Sequence, residues 1–443
     1  MNKWIKLCQE KIEKRGIKNY EIYAINVKRT IIDVKDKEVE LLNVAENRGI
    51  SLRIICEGRL GFAYITEITE STIDYLIKQA ISSAQVTTPD PFLNFPNFIG
   101  NYPIVSVYDK EIENLSLSKK IDFALTMEMA AKDYAPCIKK VRHSQFQEMA
   151  AQIFIANHHG LNFSYKRTLF SGSVLVMAEE KGEAEMGWHY AFNPFFNNLN
   201  PEIIGKKAAQ LAADALGGKP IATQKINAIF TNRVMSEILQ ILSSSFLADE
   251  VQKGKSLLAP HLGKKIMSNL VNIYDNGLYP NGYATRPCDD EGIPQQKTIL
   301  VENGTIKGFL YDSYTAAKED KKSTGNAGRM SLEAPPKVEI TNLYLKPYDL
   351  SFERLLKTLD KGLVITDVLG MHTADPISGD FSVGAAGYWI EGGNRLFPVK
   401  SIAIAGNIVD LFKKIVAIGN DLEFFGNCGS PSVLIEGVQV SGN

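Results

Sequence analysis

The chain has 443 residues, with 49 Lys and Arg against 50 Asp and Glu, and its hydrophobic and charged fractions are 45% and 22%. This is an ordinary globular composition, long enough for about two or three domains, which excludes a chain that is mainly disordered. The nearly neutral charge, without a block of like charges, gives no support for direct nucleic-acid binding.

Helical and strand periodicity alternate through the N-terminal half. Trp4, Cys8 and Ile12 recur every four positions and predict a helix over 2–15. Further helices are predicted over 71–84, 118–133 and 202–216, and strands over 19–26, 31–44, 51–55, 62–65 and, as a meander, 138–181. Gly217-Gly218-Lys219-Pro220 then marks a domain boundary. We therefore expect an N-terminal domain over 1–220, built of helices and an antiparallel sheet.

Strand signals dominate the C-terminal half. A strand over 225–230 precedes a helix that begins at Asn232, and hairpins are predicted around Asn303-Gly304 and Gly392-Gly393. Two more helices are predicted over 352–359 and 408–417, and a final strand over 433–440. The expected fold class is α+β, with a β-rich C-terminal domain over 221–443.

The N-terminus and the cysteines indicate the compartment. The first residues, Met1-Asn2-Lys3-Trp4, lack the apolar segment of a signal peptide, and no run approaches about 18 apolar residues. The five cysteines are odd in number, far apart and without a CxxC pair. We expect a cytoplasmic protein with reduced thiols and no membrane partner.

Two polar segments are candidates for function. Cys288-Asp289-Asp290-Glu291-Gly292 is either a cation site or, as we favour, a polar turn, because calcium and zinc need spaced or convergent ligands. The segment from Gly370 to Gly384 is either a glycine-rich crossover or a binding loop. Five of its polar residues are groove candidates, together with Asp290: His372, Thr373, Asp375, Ser378 and Asp380. Polar groups between apolar strands satisfy backbone groups or face a cavity, so we hypothesise that this segment lines a groove for substrate or partner.

Several motifs together resemble the PmbA/TldD family. They are the stretch from Cys288 to Gln296, Ser323-Thr324-Gly325-Asn326, Gly370-Met371-His372-Thr373, the stretch from Ser378 to Gly384, and the stretch from Val416 to Leu422. The resemblance covers nearly the whole chain, and Gly-Met-His-Thr is typical of the PmbA (TldE) branch. Members are described as candidate modulators of DNA gyrase and include zinc metallopeptidases that act on unfolded or short peptides.

The resemblance also predicts what this chain lacks. TldD-type subunits carry His-Glu-x-x-x-His on a helix, where two histidines bind zinc and the glutamate activates water. The ungapped match puts Leu239, Gln240 and Ser244 at those positions. A leucine cannot bind zinc and a glutamine cannot act as a general base. We therefore expect no catalytic residue, no metal and no cofactor in this chain, with Cys428 a small buried cysteine.

The resemblance implies a non-catalytic subunit of the metallopeptidase (hydrolase) family, paired with a TldD-type subunit that supplies the zinc for proteolysis of unfolded peptides. We also expect the isolated chain to form a homodimer. The alternative is a stand-alone homodimeric peptide-binding or regulatory protein without hydrolytic activity. A third, weaker hypothesis is a hydrolase with a nonstandard metal site near Cys288, His372 and Cys428.

Overall fold

The computed structural model describes residues 1–97 and 100–442, and its N-terminal part is built on one antiparallel sheet of order β3-β2-β1-β4-β5-β6. Its strands are β1 (Tyr20–Lys35), β2 (Glu38–Cys56), β3 (Arg59–Ile65), β4 (Ile138–Asn157), β5 (Asn162–Glu180) and β6 (Glu183–Asn193). Four helices cover one face of it: α1 (Asn2–Lys14), α2 (Glu70–Val86), α3 (Leu117–Lys132) and α4 (Pro201–Ala215).

The sheet consists of two units with the same chain order. The first unit is α1, β1–β3 and α2, and the second is α3, β4–β6 and α4. The central strands β1 and β4 join the units in antiparallel register, from Glu21 opposite Asn157 to Val34 opposite Ser144. Each unit has its own core under its helices, with Ile22, Leu52 and Ile73 in the first core and Phe146 and Phe170 in the second.

Local sequence explains where these helices begin. The side chain of Thr69 accepts a hydrogen bond from the Thr72 N–H, and the Thr72 hydroxyl accepts one from the Thr69 N–H, which caps α2. The Asn200 side chain accepts a hydrogen bond from the Ile203 N–H and so caps α4, with Pro201 at the first helical position. These caps satisfy N–H groups that the helices themselves cannot.

The C-terminal part contains the remaining elements. In chain order they are β7 (Gln224–Phe230), α5 (Asn232–Ser243), α6 (Ala248–Gln252), β8 (Ile273–Asn276), β9 (Lys297–Glu302), β10 (Thr305–Ile306), α7 (Ser313–Lys318), β11 (Ala327–Gly328), β12 (Lys337–Val338), β13 (Leu343–Leu345), α8 (Phe352–Leu359), β14 (Gly362–Leu369), β15 (Asp380–Glu391), β16 (Asn394–Asn407), α9 (Ile408–Lys413), β17 (Ile415–Ile418), β18 (Glu423–Phe425), β19 (Cys428–Ser430) and β20 (Val433–Ser441).

Five of these strands close into a barrel. The order β16-β15-β14-β7-β20 returns to its start because β16 also pairs with β20, from Ala403 opposite Ser441 to Ala405 opposite Gln439. A second sheet, β10-β9-β8-β13-β19-β18, lies on the other side of α5. The buried face of α5, including Ile238 and Leu242, belongs to the large core that the barrel and this sheet share.

The structure confirms the predicted α+β class, with an antiparallel sheet in the N-terminal part and a strand-rich C-terminal part. Two predicted elements have other bounds in the structure. The strand character expected over 31–44 is present, but it is divided between β1 and β2, because Asp36 and Lys37 adopt positive φ angles of 51° and 67° and reverse the chain. The helix expected over 408–417 ends at Lys413, and β17 follows.

The boundary at 220 and 221 falls between α4 and β7, and we keep the division into domains 1–220 and 221–443 as a proposal. None of the helices in the described ranges combines the length and the apolar character needed to cross a bilayer.

Candidate functional site

The end of helix α5 and the residue after it provide the three positions that resemblance assigns to zinc chemistry. Leu239 is fully buried in the core, whereas Gln240 is exposed. The Ser244 hydroxyl, just after the helix, donates a hydrogen bond of 3.2 Å to the Ile241 carbonyl. A leucine offers no metal ligand, and an uncharged glutamine is no general base. These side chains therefore do not fit a zinc ion.

The structure gives no support to the hypothesis of a nonstandard metal site near Cys288, His372 and Cys428. Cys288 and Cys428 are buried, whereas His372 is exposed on a short turn, Met371–Thr373. Within residues 1–97 and 100–442, no group of three His, Cys, Asp or Glu side chains is placed to hold a metal ion. Burial raises the pKa of the Cys428 thiol, as expected for a small apolar side chain in a core.

The polar residues of the predicted binding loop lie mainly at the surface. His372, Thr373, Asp375 and Asp380 are exposed, and Ser378 is half-buried. The Thr373 hydroxyl donates to the Gly370 carbonyl at 2.8 Å, and Asp375 accepts the Ile377 N–H at 2.8 Å.

The second half of this loop is tied to Asn407 at the end of β16. The Asn407 amide donates to the carbonyl of Ser378 at 2.8 Å and to the Asp380 carboxylate at 2.9 Å. The polar groups thus satisfy local backbone while their outer atoms face solvent, and the groove role of this loop stays a prediction.

Asp290 lies in the predicted polar turn and is only 4% exposed. Its carboxylate accepts hydrogen bonds from Arg286 Nη1 at 3.0 Å and from the Arg329 backbone N–H at 2.8 Å. The turn thus pairs its charge with protein cations, and this burial does not favour the groove role predicted for Asp290.

The same turn fastens the C-terminal part to the first unit of the sheet. Arg53 binds Glu21 through its Nε at 2.9 Å and Glu291 through its Nη2 at 2.9 Å, and Arg329 also binds Glu21. We call Glu21, Arg53, Glu291 and Arg329 the buried junction. Burial by itself would lower the pKa of Arg53, but Glu21 and Glu291 raise it above the usual value.

A cleft of about 630 Å³ separates the second unit of the sheet from the barrel. We call it the barrel cleft. Its walls are β6, α4, the start of α5 and the strands β14–β16; the residues that line it include Glu185, Met186, Gly187, Trp188, Leu211, Asp214, Arg233, Asp367, Leu369, Gly384, Ala385, Ala386, Gly387, Tyr388, Arg395 and Lys400. Leu369, which precedes the predicted binding loop, and Gly384, the last residue of that loop, are among them. The five polar loop candidates are not.

Charged side chains line this cleft without filling it. The Arg233 guanidinium lies 5.3 Å from the Trp188 ring centre and 3.6 Å from the Asp367 carboxylate, and it donates to the Trp188 carbonyl at 3.1 Å. Burial raises the pKa of Asp367, and Arg233 opposes that shift. The pKa of Glu237, one turn along α5, is also raised, chiefly by burial.

Strand β6 is an edge strand of the sheet and forms one wall of the cleft. Within the described chain it pairs with β5 alone, so its outer N–H and C=O groups have no strand partner. One face carries Met186, Trp188, Tyr190 and Phe192, and the Trp188 and Tyr190 rings are stacked 6.0 Å apart. An extended peptide can add to a sheet as a further strand when it finds an unpaired strand edge and spaces between alternate side chains. Strand β6 offers both.

This wall of the cleft was not among the sites predicted from the sequence. One sequence pattern could have predicted it: apolar or aromatic residues occupy every second position at Met186, Trp188, Tyr190 and Phe192. A regular apolar face on a strand predicts contact with another surface. Arg233 had no signal in the sequence, because its role depends on contacts with β6 and β14, which are remote along the chain.

Models of three domains match almost the whole chain. The PmbA/TldA metallopeptidase domain 1 matches residues 20–84, the central domain matches 110–216, and the C-terminal domain matches 223–442. Domain 1 contains the strands of the first unit, and the central domain contains the strands of the second unit. The six-stranded sheet is therefore assembled from these two domains.

Curated relatives and solved structures agree with these models. The chain is 29% identical to metalloprotease PmbA of Escherichia coli O157:H7, over 94% of this chain and 91% of the relative. It is 30% identical to an uncharacterized protein of Methanocaldococcus jannaschii, over 96% and 97%. A candidate modulator of DNA gyrase from Thermotoga maritima superposes with a TM-score of 0.92 at 28% identity, over 99% of this chain and 100% of that one.

The structure of TldE from Thermococcus kodakarensis superposes with a TM-score of 0.91 at 22% identity, over 98% of this chain and 100% of that one, and shows the same fold. Taken with the three matching domains and the relatives above, these likenesses show that the chain belongs to the PmbA/TldD family of metallopeptidase-like proteins.

Proposed function

We propose that this chain is a PmbA/TldE-like subunit of a TldD/TldE-type metallopeptidase complex that degrades or processes unfolded peptides. The observation that carries the proposal is the chemistry of α5. The helix is present with Leu239 buried in the core, and the resemblance assigns Leu239 and Gln240 to the positions where a catalytic member has a zinc ligand and a base. Zinc and its activated water then belong to a TldD-type partner.

The contribution of this chain is a surface for the substrate. The barrel cleft presents the unpaired edge of β6 beside the Trp188 ring, opposite a strip of small residues on β15, Gly384–Gly387. Main-chain hydrogen bonds to an edge strand do not depend on the peptide sequence, which suits a peptidase that accepts many unfolded peptides. The small side chains on β15 leave room for those of the peptide.

Co-purification and cleavage assays test the proposal. The chain and a TldD-type subunit that carries His-Glu-x-x-x-His are purified separately and after co-expression, and cleavage of an unstructured peptide is measured for each. We expect a stable complex whose activity exceeds that of either subunit alone. Failure of the two chains to associate, or cleavage by this chain alone, would contradict the proposal.

The same preparations test the metal assignment. After dialysis, elemental analysis of this chain alone should show no stoichiometric zinc, while the complex retains zinc in its partner. About one zinc per isolated chain would refute this assignment. A chain that binds peptides as a homodimer and shows no activity with any TldD-type subunit would establish the alternative, a stand-alone binding or regulatory protein.

We also propose that the protein acts in the cytoplasm.

A further inference from the structure

A cavity of about 540 Å³ borders the buried junction on the side of α6 and α7. Arg53 and Glu291 of the junction line it, and much of the remaining wall is apolar: Ile55, Leu60, Leu93, Phe95, Pro335 and Val338. We call it the junction cavity. None of the described residues that line it also lines the barrel cleft. Its volume is within the range of sites that bind small organic molecules.

Asp312 lines this cavity with a buried carboxylate that is only half bonded. It is 5% exposed and lies just before α7. Its Oδ1 accepts the Thr315 N–H at 2.7 Å and the Thr315 hydroxyl at 2.6 Å, which caps the helix. Within the described residues, Oδ2 accepts no hydrogen bond. Since Asp312 lines the cavity, this free oxygen is available to a group that enters it.

The surrounding charges leave Asp312 without a cation. The buried junction is balanced by itself, with two arginines against two glutamates. Glu291 is already bonded to Arg53 at 2.9 Å and to the Ser313 N–H at 3.0 Å, and Asp312 forms no ion pair among the described residues. Burial and the charge of Glu291 raise the pKa of Asp312. A buried carboxylate without a partner is unfavourable, so a cation that enters the cavity is stabilised by pairing with it.

The cations that line the cavity are engaged or exposed. The Arg53 guanidinium is shared between two glutamates and lies 5.2 Å from the Phe95 ring centre. The three lysines of the lining are exposed, so their ammonium groups can extend into solvent: Lys253, Lys318 and Lys337. Lys253 is also paired with Asp249 at 2.9 Å. The Asp312 oxygen is therefore open to a cation from outside the chain.

The walls of the cavity select the kind of cation. Calcium and magnesium ions take about six or more oxygen ligands, which a largely apolar wall does not supply. An organic ammonium ion instead donates its N–H groups to a carboxylate and buries its carbon chain against apolar side chains. One free carboxylate oxygen in an apolar cavity fits the second kind of ligand.

We propose that the junction cavity binds an organic primary ammonium ion, with its nitrogen at the Asp312 carboxylate and its carbon chain against the apolar wall. A free aliphatic amine and the amino terminus of a peptide share this chemistry. The inference does not rest on the peptidase role, because the cavity is formed by this chain alone and is separate from the barrel cleft.

Calorimetric titration of the isolated chain with isopentylamine tests the site. Isopentanol is the neutral control, since it has the same carbon chain with a hydroxyl in place of the ammonium group. We expect a Kd of about 1 mM or lower for the amine, and binding at least about tenfold weaker for the alcohol. Absence of binding at about 10 mM amine, or equal binding of both compounds, overturns the proposal.

Asp312→Asn tests the residue that binds the nitrogen. Asparagine keeps an oxygen that can cap α7 but removes the charge, so the amine should bind at least about tenfold more weakly. The matched control is Asp109→Asn, because Asp109 is 8% exposed, also caps a helical turn and does not line the cavity. The control should bind the amine as the wild type does. Wild-type affinity in Asp312→Asn overturns the site.

Leu60→Trp is a second variant, which leaves every charge in place. The larger side chain fills part of the cavity and should weaken amine binding at least about tenfold. Circular dichroism checks the folding of all variants, and Leu60→Trp decides the question if Asp312→Asn does not fold. Unchanged affinity in folded Leu60→Trp overturns the cavity as the binding site.

Leucinamide and N-acetyl-leucinamide distinguish the two sources of the ammonium group. Leucinamide carries the free amine of a peptide amino terminus, and the acetyl group removes its charge. Tighter binding of leucinamide than of isopentylamine supports a peptide amino terminus as the ligand, and the reverse order supports a free amine. Binding of N-acetyl-leucinamide as tight as that of leucinamide overturns the recognition of charge.

Discussion

The first unit of the N-terminal sheet meets the C-terminal part through four buried charges, whereas the second unit meets the barrel through ion pairs at the edge of a solvent-filled cleft. Arg329 and Glu21 in the buried junction are 1% and 0% exposed at their side chains. In the barrel cleft, Lys400 and Glu185 are 32% and 26% exposed, and Arg395 and Asp214 are 35% and 43% exposed.

The buried junction is a fixed contact, whereas the ion pairs of the barrel cleft are accessible to solvent. Charges that are removed from water must keep their partners, because a lone buried charge is very unfavourable. Pairs at a solvent boundary exchange their partners for water at little cost. The first unit therefore supplies a fixed contact with the C-terminal part, while the second leaves space beside the barrel in which a ligand can bind without disturbing the core.

The largest expected effect comes from breaking the buried junction. Glu21→Gln removes the carboxylate that Arg329 binds in the junction and leaves Arg53 with Glu291 alone, and we expect a loss of about 3 to 5 kcal/mol in the free energy of unfolding. Urea denaturation measures it. The control Glu183→Gln removes a surface partner of Lys400 and should change stability little. Equal losses of stability in the two variants would contradict the distinction between the buried junction of the first unit and the solvent-exposed ion pairs of the second.

The dependence of stability on pH tests whether His189 of β6, in the second unit, stays uncharged in the folded protein. Burial, with Lys207 and Arg233 nearby, lowers the pKa of His189 to about 4. Between that value and about 6.5 the unfolded chain binds the proton that the folded chain excludes, so stability is lost as the pH falls through this range. The expected contribution is at most about 3 kcal/mol.

His189→Gln should flatten the stability curve between pH 6.5 and 4, as measured by urea denaturation at several pH values. The control is His372→Ala at an exposed position, which should follow the wild-type curve. An unchanged slope in His189→Gln would show that the imidazole is protonated in the folded protein.

Removing the aromatic wall of the barrel cleft should affect function more than stability. Trp188 is 37% exposed, and its ring contacts Arg233. We expect Trp188→Ala to reduce peptide cleavage by the complex with a TldD-type partner about tenfold, equivalent to about 1.4 kcal/mol, while the Tm changes little. Wild-type cleavage by the variant complex would exclude the cleft as the substrate surface.

The smallest effect is expected at the exposed loop. His372→Ala should leave the Tm unchanged because the side chain is exposed and, among the described residues, makes no hydrogen bond. If the loop lines a groove in the complex, peptide cleavage falls while stability is preserved. If cleavage per folded molecule is also unchanged, the groove hypothesis for His372, Thr373, Asp375, Ser378 and Asp380 is wrong.

The sequence predicted the elements whose signals are local. Helix α4 has a proline at its start and glycines after its end, and the hairpins at Asn303-Gly304 and Gly392-Gly393 have residues that adopt positive φ. The cap signal at Asn232 predicted α5, and the resemblance assigned its altered residues. Closure of the barrel by β16 and β20 was not predictable, because that pairing joins strands without a local turn signal.

The functional surfaces were predicted less well for the same reason. The buried junction joins Glu21 to Arg329 across more than half the chain, and nothing near either residue in the sequence indicates the other. The predicted candidates were polar residues clustered in sequence. The barrel cleft instead combines one edge strand, one arginine and a strip of small residues that only the fold brings together.

Hydrogen–deuterium exchange of the complex with a TldD-type partner, with and without a saturating unstructured peptide, tests the account most directly. The sheet has two terminal strands, β3 and β6, and only β6 borders the barrel cleft. If this chain supplies the peptide-binding edge, the peptide should slow exchange of the backbone amides in Glu183–Asn193 and leave Arg59–Ile65 unchanged. Bound peptide that protects neither strand, or protects β3 instead, would contradict the account.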